Sequence, residues 1–413
     1  MVSTFHGLET GKRALSVGQA SIATTGHNIA NANTKGYSRQ QVNQSTSPSL
    51  DVWTNSTNPG QLGSGVSIDS ITRVRDQFLD NQHRDQSSTL GDAQAKKASF
   101  DRLETIINEP SDSGLNAVMD QLANAWQDLE NNPDDVSAQA VLKQRAQEFV
   151  EVAQSMDSSM TNMKNDLDDQ IEAAVTEANG YLDQISSLNE SIVRGGNQSN
   201  DLKDQRDVLI EKLSALAPIE VVEQANGSYT ISLDGNTMDK NNKFIIDDDD
   251  ATTDTIVTGG KIGGLIDAEV KVGNIQKDLE DVATGFAEAN NETEGGTPLF
   301  SNTDSIADME VNFGATLGTP TAAMETGIKD VKTAYQELVS VLGVQSQSAT
   351  RSVANFEATL QATENRRQSV SGVSLDEEMA NLVKFQHSYS AAARLISTTD
   401  QMLDTIINRM AAR

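Results

Sequence analysis

Apolar and polar positions alternate most regularly at the two ends of the chain. Leu8, Leu15, Ile22 and Ile29 recur every seven residues, and three residues after each stand Gly11, Gly18, Thr25 and Ala32. A seven-residue repeat with large residues in one column and small ones in the other is the seam of a helix that lies close against a second helix. Asn31, Asn33 and Gly36 tolerate the backbone geometry that ends helices, and they close the pattern. Near the other end, Leu375, Leu382, Tyr389, Ile396, Leu403 and Met410 again lie seven apart, with Met379, Gln386, Ala393, Asp400 and Ile407 assigned to the second column. Ser374 and Glu377 have the spacing of a capping box that opens this helix. Two amphipathic helices buried in one core would show such seams, and so would one helix from each terminus paired with the other. Pairing is the expectation, because chain ends fray unless something holds them.

Between the ends the pattern predicts more long helices. Residues 70–107 are helix-like, with Pro110 as a stop, and 115–130 follow, closed by Asn131, Asn132 and Pro133. A single helix is predicted over 137–194. One column holds Ala146, Ala153, Met160, Leu167, Ala174, Tyr181 and Leu188. The second holds Phe149, Met156 and Met163, then drifts to Ile171, Ala178, Ile185 and Ile192. A nearly straight helix slips in this way against a strict heptad. At ~1.5 Å per residue it spans roughly 85 Å.

The texture changes after Pro218. Residues 219–223 are β-like, Asn226-Gly227 is a hairpin turn signal, and Tyr229, Ile231 and Leu233 alternate with polar residues. Residues 244–246 and 255–258 are further strand candidates. Helix returns over 263–290, a Gly/Thr/Pro-rich loop covers 295–320, and 323–367 form the last long helix before the terminal one. The predicted fold is therefore mainly α: a coiled-coil-like bundle of long helices built from N- and C-terminal segments, with a small β-rich insertion. The expected division is 1–40 with 371–413 as paired terminal helices, 41–217 with 262–370 as a rod-like helical bundle, and 218–261 as the insertion.

Composition narrows the function classes. Only 37% of residues are hydrophobic and 4% aromatic, a thin supply for one large globule but enough for helices that each bury a stripe. With 60 acidic and 31 basic residues the formal net charge is −29, which disfavours nucleic acid and anionic membrane surfaces as partners. The chain has no cysteine, hence no disulfide framework and no thiolate site. No run approaches the ~18 apolar residues of a membrane span. The first residues lack the apolar core and cleavage site of an ordinary secretion signal, so none is expected.

No motif for chemistry stands out. Asp247-Asp248-Asp249-Asp250 lacks the alternating ligands and central glycine of a calcium loop and reads as a solvated turn. His6, His27, His83 and His387 form no zinc-binding pair. Gly259-Gly260-Lys261-Ile262-Gly263-Gly264 lacks the spacing that wraps phosphate. No catalytic residue, metal ligand or cofactor site is expected, and the chain does not read as an enzyme.

The segment Gly26-His27-Asn28-Ile29-Ala30-Asn31-Ala32-Asn33-Thr34-Lys35-Gly36-Tyr37-Ser38-Arg39-Gln40 resembles the N-terminal signature of the flagellar rod, hook and hook-associated axial proteins, roughly NxANxxTxGYxR. Its carriers here are Asn28, Ala30, Asn31, Thr34, Gly36, Tyr37 and Arg39. Tyr37-Ser38-Arg39-Gln40, the stretches 73–91 and 371–410, and Gly296-Thr297-Pro298-Leu299-Phe300 are similar to the hook-associated protein 1 (FlgK) family. Lys35 departs from the proline common in relatives, at a loop position.

The resemblance implies a structural subunit of the hook–filament junction. It implies extracellular placement in the flagellum after unfolded export from the cytoplasm through the type III apparatus. The partners it implies are further copies in a ring, the hook protein, a second junction protein, and a cytoplasmic export chaperone. Leu8, Leu15, Ile22 and Ile29 would then form one assembly face. Leu382, Tyr389, Ile396 and Leu403 would serve the chaperone first and the assembly afterwards. Hook, distal rod or flagellin-like proteins, and a signalling coiled coil outside the flagellum, are the competing readings.

Overall fold

The computed structural model describes residues 5–52, 60–196, 199–241, 243–244, 257 and 259–405. In chain order the elements are α1 (His6–Ala30), β1 (Gln40–Thr46), β2 (Leu50–Val52), β3 (Gly60–Leu62), β4 (Val66–Arg73), α2 (Gln77–Ile107), α3 (Leu115–Asn131), α4 (Val136–Arg194), α5 (Asn200–Leu216), β5 (Glu220–Glu223), β6 (Tyr229–Leu233), β7 (Asn236–Met238), α6 (Gly260–Asn291), β8 (Thr293–Glu294), β9 (Phe300–Ser301), β10 (Glu310–Val311), β11 (Thr319–Pro320), α7 (Ala322–Ser371) and α8 (Leu375–Asp404). The chain is mainly α, with five small antiparallel sheets among the described residues.

The body is built on α4, whose 59 residues span about 88 Å at ~1.5 Å per residue. Its buried stripe is Ala146, Ala153, Met160, Leu167 and Ala174, joined by Phe149, Met156 and Met163. Ile171, Ala178, Ile185 and Ile192 are buried, as the drift of the second column predicts, whereas in the first column Leu182 is buried and the assigned Tyr181 and Leu188 are only half-buried. Against α4 pack α3, α5 and α6, and α2, α6 and α7 run together on the far side. One continuous core joins these helices. At its centre Phe149 meets Phe286 and Phe300, with ring centroids 4.6 and 5.9 Å apart. Trp126 carries a polar group into this core, and its Nε1 donates to Asn290 Oδ1 at 2.8 Å.

Several features differ from the sequence reading, among them the short strands β9, β10 and β11 within 295–320, read as loop. Residues 40–73, read as part of the helical bundle, form antiparallel pairs β1–β4 and β2–β3, with a bulge between Asn43 and Gln44. Their Gln, Asn, Ser and Thr residues give little apolar alternation, because the hairpin lies mostly exposed beside α1. The helix expected from residue 70 starts at Gln77, where the Asp76 carboxylate accepts from the Phe78 and Leu79 amides. The residues around β5–β6–β7 do not stand apart either. Ile219, Ile231, Leu233, Met238 and Phe244 share the core of the helices.

Side-chain amides hold this sheet to α4. Asn189 donates to the Tyr229 carbonyl and accepts from its N–H, and Asn179 does the same for Phe244, all within 2.9–3.0 Å. Of the other two strand candidates, only Phe244 and Val257 are described. Asp247–Asp250, Ile407 and Met410 also lie outside the described residues.

Candidate functional site

Helices α1 and α8 lie against each other along most of their length. None of their buried residues belongs to the core of the body. On α1 the buried positions are Gly11, Val17, Gly18, Ser21, Thr25 and Asn28. The small column is thus the one in contact. A Cβ on Gly11 would stand 2.7 Å from Ile396 Cγ1, and one on Gly18 would stand 3.3 Å from Tyr389 Cβ. The large column, Leu8, Leu15, Ile22 and Ile29, is only half-buried and flanks the contact.

On α8, Leu382, Tyr389, Ile396 and Leu403 are half-buried and form one column. The second column differs from the sequence reading. Met379, Gln386 and Asp400 are exposed and Ala393 is half-buried, whereas Glu378 and Ala392 are buried and Phe385 and Thr399 half-buried. The seam therefore steps three residues on from Leu382 and not four, a choice periodicity leaves open because both steps occur in a heptad. Leu375, assigned to the first column, is exposed at the helix start. Met379, Val383, Leu395 and Met402 remain exposed as well, so this helix carries apolar surface beyond what α1 covers.

The signature residues close the end of α1. Asn28 is 1% exposed. Its Nδ2 donates to the Gln40 carbonyl at 2.9 Å and to Glu378 Oε2 at 3.0 Å. Its Oδ1 accepts from Tyr37 Oη at 2.7 Å and from the Gln40 amide at 3.0 Å. Burial, with Asp201, Asp204 and Glu378 nearby, pushes the Tyr37 phenol above its usual range and keeps it a donor. Asn31 caps the helix by donating to the His27 carbonyl at 3.0 Å and accepts from Thr34 Oγ1 at 3.2 Å. Gly36 has φ +80°, and any Cβ there would collide with Val208. Arg39 pairs with Glu377 at 3.2 Å, and its amide donates to the Ser371 carbonyl. Ala30 and Thr34 are exposed. The signature thus ties α1 to the start of α8 on one side and to α5 on the other, where Ser38 donates twice to Asp204.

Beneath this tie lies a cluster of charges that sequence reading did not single out. Arg73 contacts Asp204 at 2.9 Å and Asp207 at 2.6 Å. Arg75 contacts Asp207 and Asp80, and Arg367 contacts Glu211 and Glu364. Burial alone pushes the Asp207 carboxyl up, but Arg75 and Arg73 together outweigh it and hold the group below its usual range. Burial and the nearby Arg367 lower the His83 imidazole. In a chain with 60 acidic residues, nothing marks these few. The usable signal is arginine in place of lysine at each cationic position, since its forked guanidinium suits buried pairs.

Among the described residues, no group of three or more histidine, aspartate or glutamate side chains is arranged to hold a metal. No described helix is long and apolar enough to cross a membrane.

The fold is thus a two-helix unit, α1 with α8, jointed to a long helical body. Residues 8–37 match the "Flagella basal body rod protein" family, and 365–410 match the "Flagellar basal body rod FlgEFG protein C-terminal" family. Residues 100–297 match the "Flagellar hook-associated protein FlgK helical domain". The chain is 32% identical to flagellar hook-associated protein 1 of Bacillus subtilis (strain 168), with 99% of each chain covered. It therefore belongs to the flagellar hook-associated protein 1 family.

The protein of the same name from Salmonella typhimurium is 27% identical, over 53% of this chain and 39% of that one. A solved structure described as the flagellar hook junction protein FlgK from Burkholderia pseudomallei is 24% identical with a TM-score of 0.45. That match covers 54% of this chain and 46% of the other.

Proposed function

We propose that this protein is a structural subunit of the bacterial flagellum at the hook–filament junction, assembling there as a ring of copies between the hook protein and a second junction protein. The observation that carries the assembly mechanism is the uneven use of the terminal seams. Helix α1 buries its small column and leaves Leu8, Leu15, Ile22 and Ile29 half-open, while α8 leaves Leu395 and Met402 45% and 60% exposed. Surface of this kind invites further helices, and burial of each such side chain is worth roughly 1.5–3 kcal/mol. The terminal pair is then the inner assembly unit, and the helical body surrounds it. The chain is no enzyme.

Before export, the Leu382, Tyr389, Ile396 and Leu403 face of α8 is open to a cytoplasmic chaperone. After passage through the type III apparatus, α1 and neighbouring copies take it over. One face serves both in turn because export separates the two occasions. The test replaces Ile396 and Leu403 with aspartate. The main thermal transition of the body should be unchanged, because neither residue belongs to its core, while chaperone binding and filament retention are lost. Normal motility, or unfolding of the whole chain, overturns the reading.

A further inference from the structure

Four side chains at the joint close a ring of alternating charge. Arg75 Nε stands 3.0 Å from Asp80 Oδ2, and Arg367 Nη1 stands 3.6 Å from Asp80 Oδ1. Arg367 also meets Glu211, and Glu211 Oε1 lies 3.9 Å from Arg75 Nη2. Each side chain is 20% exposed or less. The members come from three distant stretches of chain: Arg75 just before α2 and Asp80 in its first turn, Glu211 on α5, and Arg367 in the last turns of α7.

Backbone bonds tie the ring to the terminal pair. The Val74 amide donates to the Arg39 carbonyl at 2.8 Å, and the Arg39 amide donates to the Ser371 carbonyl at 2.9 Å. Ser371 lies one turn beyond Arg367, and its hydroxyl donates to the Arg367 carbonyl. Arg75 and Arg367 are therefore each anchored within a turn of the backbone that carries α1 and α8.

We infer that this ring is an orientation lock. It fixes the angle between the terminal helix pair and the body, and it closes only when the segment around Arg367 is in place. Without Arg367, Asp80 and Glu211 face each other and Glu364 with one cation fewer between them. Loss of the Arg367 bridge unties the end of α7 from Asp80 and Glu211, and repulsion among the remaining carboxylates adds to the effect, so the joint opens without touching the apolar core. Arg39, Glu377, Asn28 and Glu378 still hold the two terminal helices to each other, so the pair swings as a unit. The use of such a lock, to pass torque across the junction without a bend, rests on the junction role. The lock itself is a property of the free chain.

The chain has no cysteine, so two can be introduced as sole labelling sites. Spin labels on Ala23→Cys in α1 and Asp169→Cys in α4, both exposed positions, report the distance between pair and body. With the ring intact a single narrow distribution is expected. Arg367→Gln should broaden it about twofold or more while the thermal transition of the body stays in place. If Arg367→Gln fails to fold, the double change Glu211→Gln with Arg367→Gln decides. That variant leaves Arg75 paired with Asp80 and strands no buried charge, yet still breaks the ring. A distribution as narrow as that of the parent in whichever variant folds overturns the lock. Because this readout needs no flagellum, its failure is separable from a failure of the motility test.

Discussion

At the scale of single residues, Asn28 shows how much one side chain can organise. Its amide has two donors and two acceptor sites, and all four are used by Gln40, Glu378 and Tyr37. Asn28→Asp removes both donors and sets a carboxylate against Glu378 in a buried place. At pH 7 two like charges there should force α1 from α8, whereas near pH 4 a shared proton relieves the repulsion. A dye on Ala23→Cys should report an opened pair at pH 7 and a smaller difference from the parent near pH 4. An equal deficit at both values would refute this account.

His83 works in the opposite manner. Burial, and then Arg367, lowers its pKa, so the folded chain prefers the neutral ring. The stability it contributes is present above the unfolded value near 6.5 and is lost as pH falls through the lower folded value. Urea midpoints at pH 7.5 and 5.5 should therefore lie closer together in His83→Gln than in the parent.

At the scale of elements, the contact between α1 and α8 depends on smallness. Leucine at position 11 has no room against Ile396, and Gly11→Leu should weaken the pair by about 1–3 kcal/mol. Hydrogen exchange should quicken across α1 and α8 and stay unchanged in α4, whose stripe has a separate core. The amide clamps of α4 have the converse logic. Asn179 and Asn189 each satisfy both backbone groups of a residue in the 218–261 segment, where another strand would otherwise be needed. Asn189→Ala should cost about 1–3 kcal/mol by leaving the Tyr229 N–H and carbonyl unpaired in a half-buried place. It also strips Arg206, fully buried under the Tyr229 ring, of its bond to Asn189. A urea titration of that variant checks the size of the loss.

At the scale of the molecule, two cores of unequal strength are joined by charge. The body has a continuous apolar core, whereas the terminal pair has a thin seam whose aromatic residues, Phe385 and Tyr389, are only half-buried. The strands at 218–261 belong to the former. Deleting 219–261 removes Ile219, Ile231, Leu233, Met238, Phe244, Val257 and the first residues of α6. It should therefore lower the thermal midpoint of the body and not merely trim a surface domain. An unchanged midpoint in that deletion would contradict the shared core.

Periodicity alone determined the long helices and the presence of a heptad column on each terminal helix, and a short motif placed the chain among the axial proteins. Those are local or repeated features, and a helix announces its buried face every three or four residues. Three things waited for the tertiary structure. The hairpins of 40–73 have polar residues on both faces, so no alternation betrays them. The choice of Phe385, Ala392 and Thr399 over Gln386, Ala393 and Asp400 depends on which side α1 approaches, which a heptad leaves undecided. The ring of Arg75, Asp80, Glu211 and Arg367 joins the start of α2 to the end of α7 through α5. Charge carries no period, so only the folding of both chain ends onto α5 reveals which carboxylates are buried and which arginines they meet.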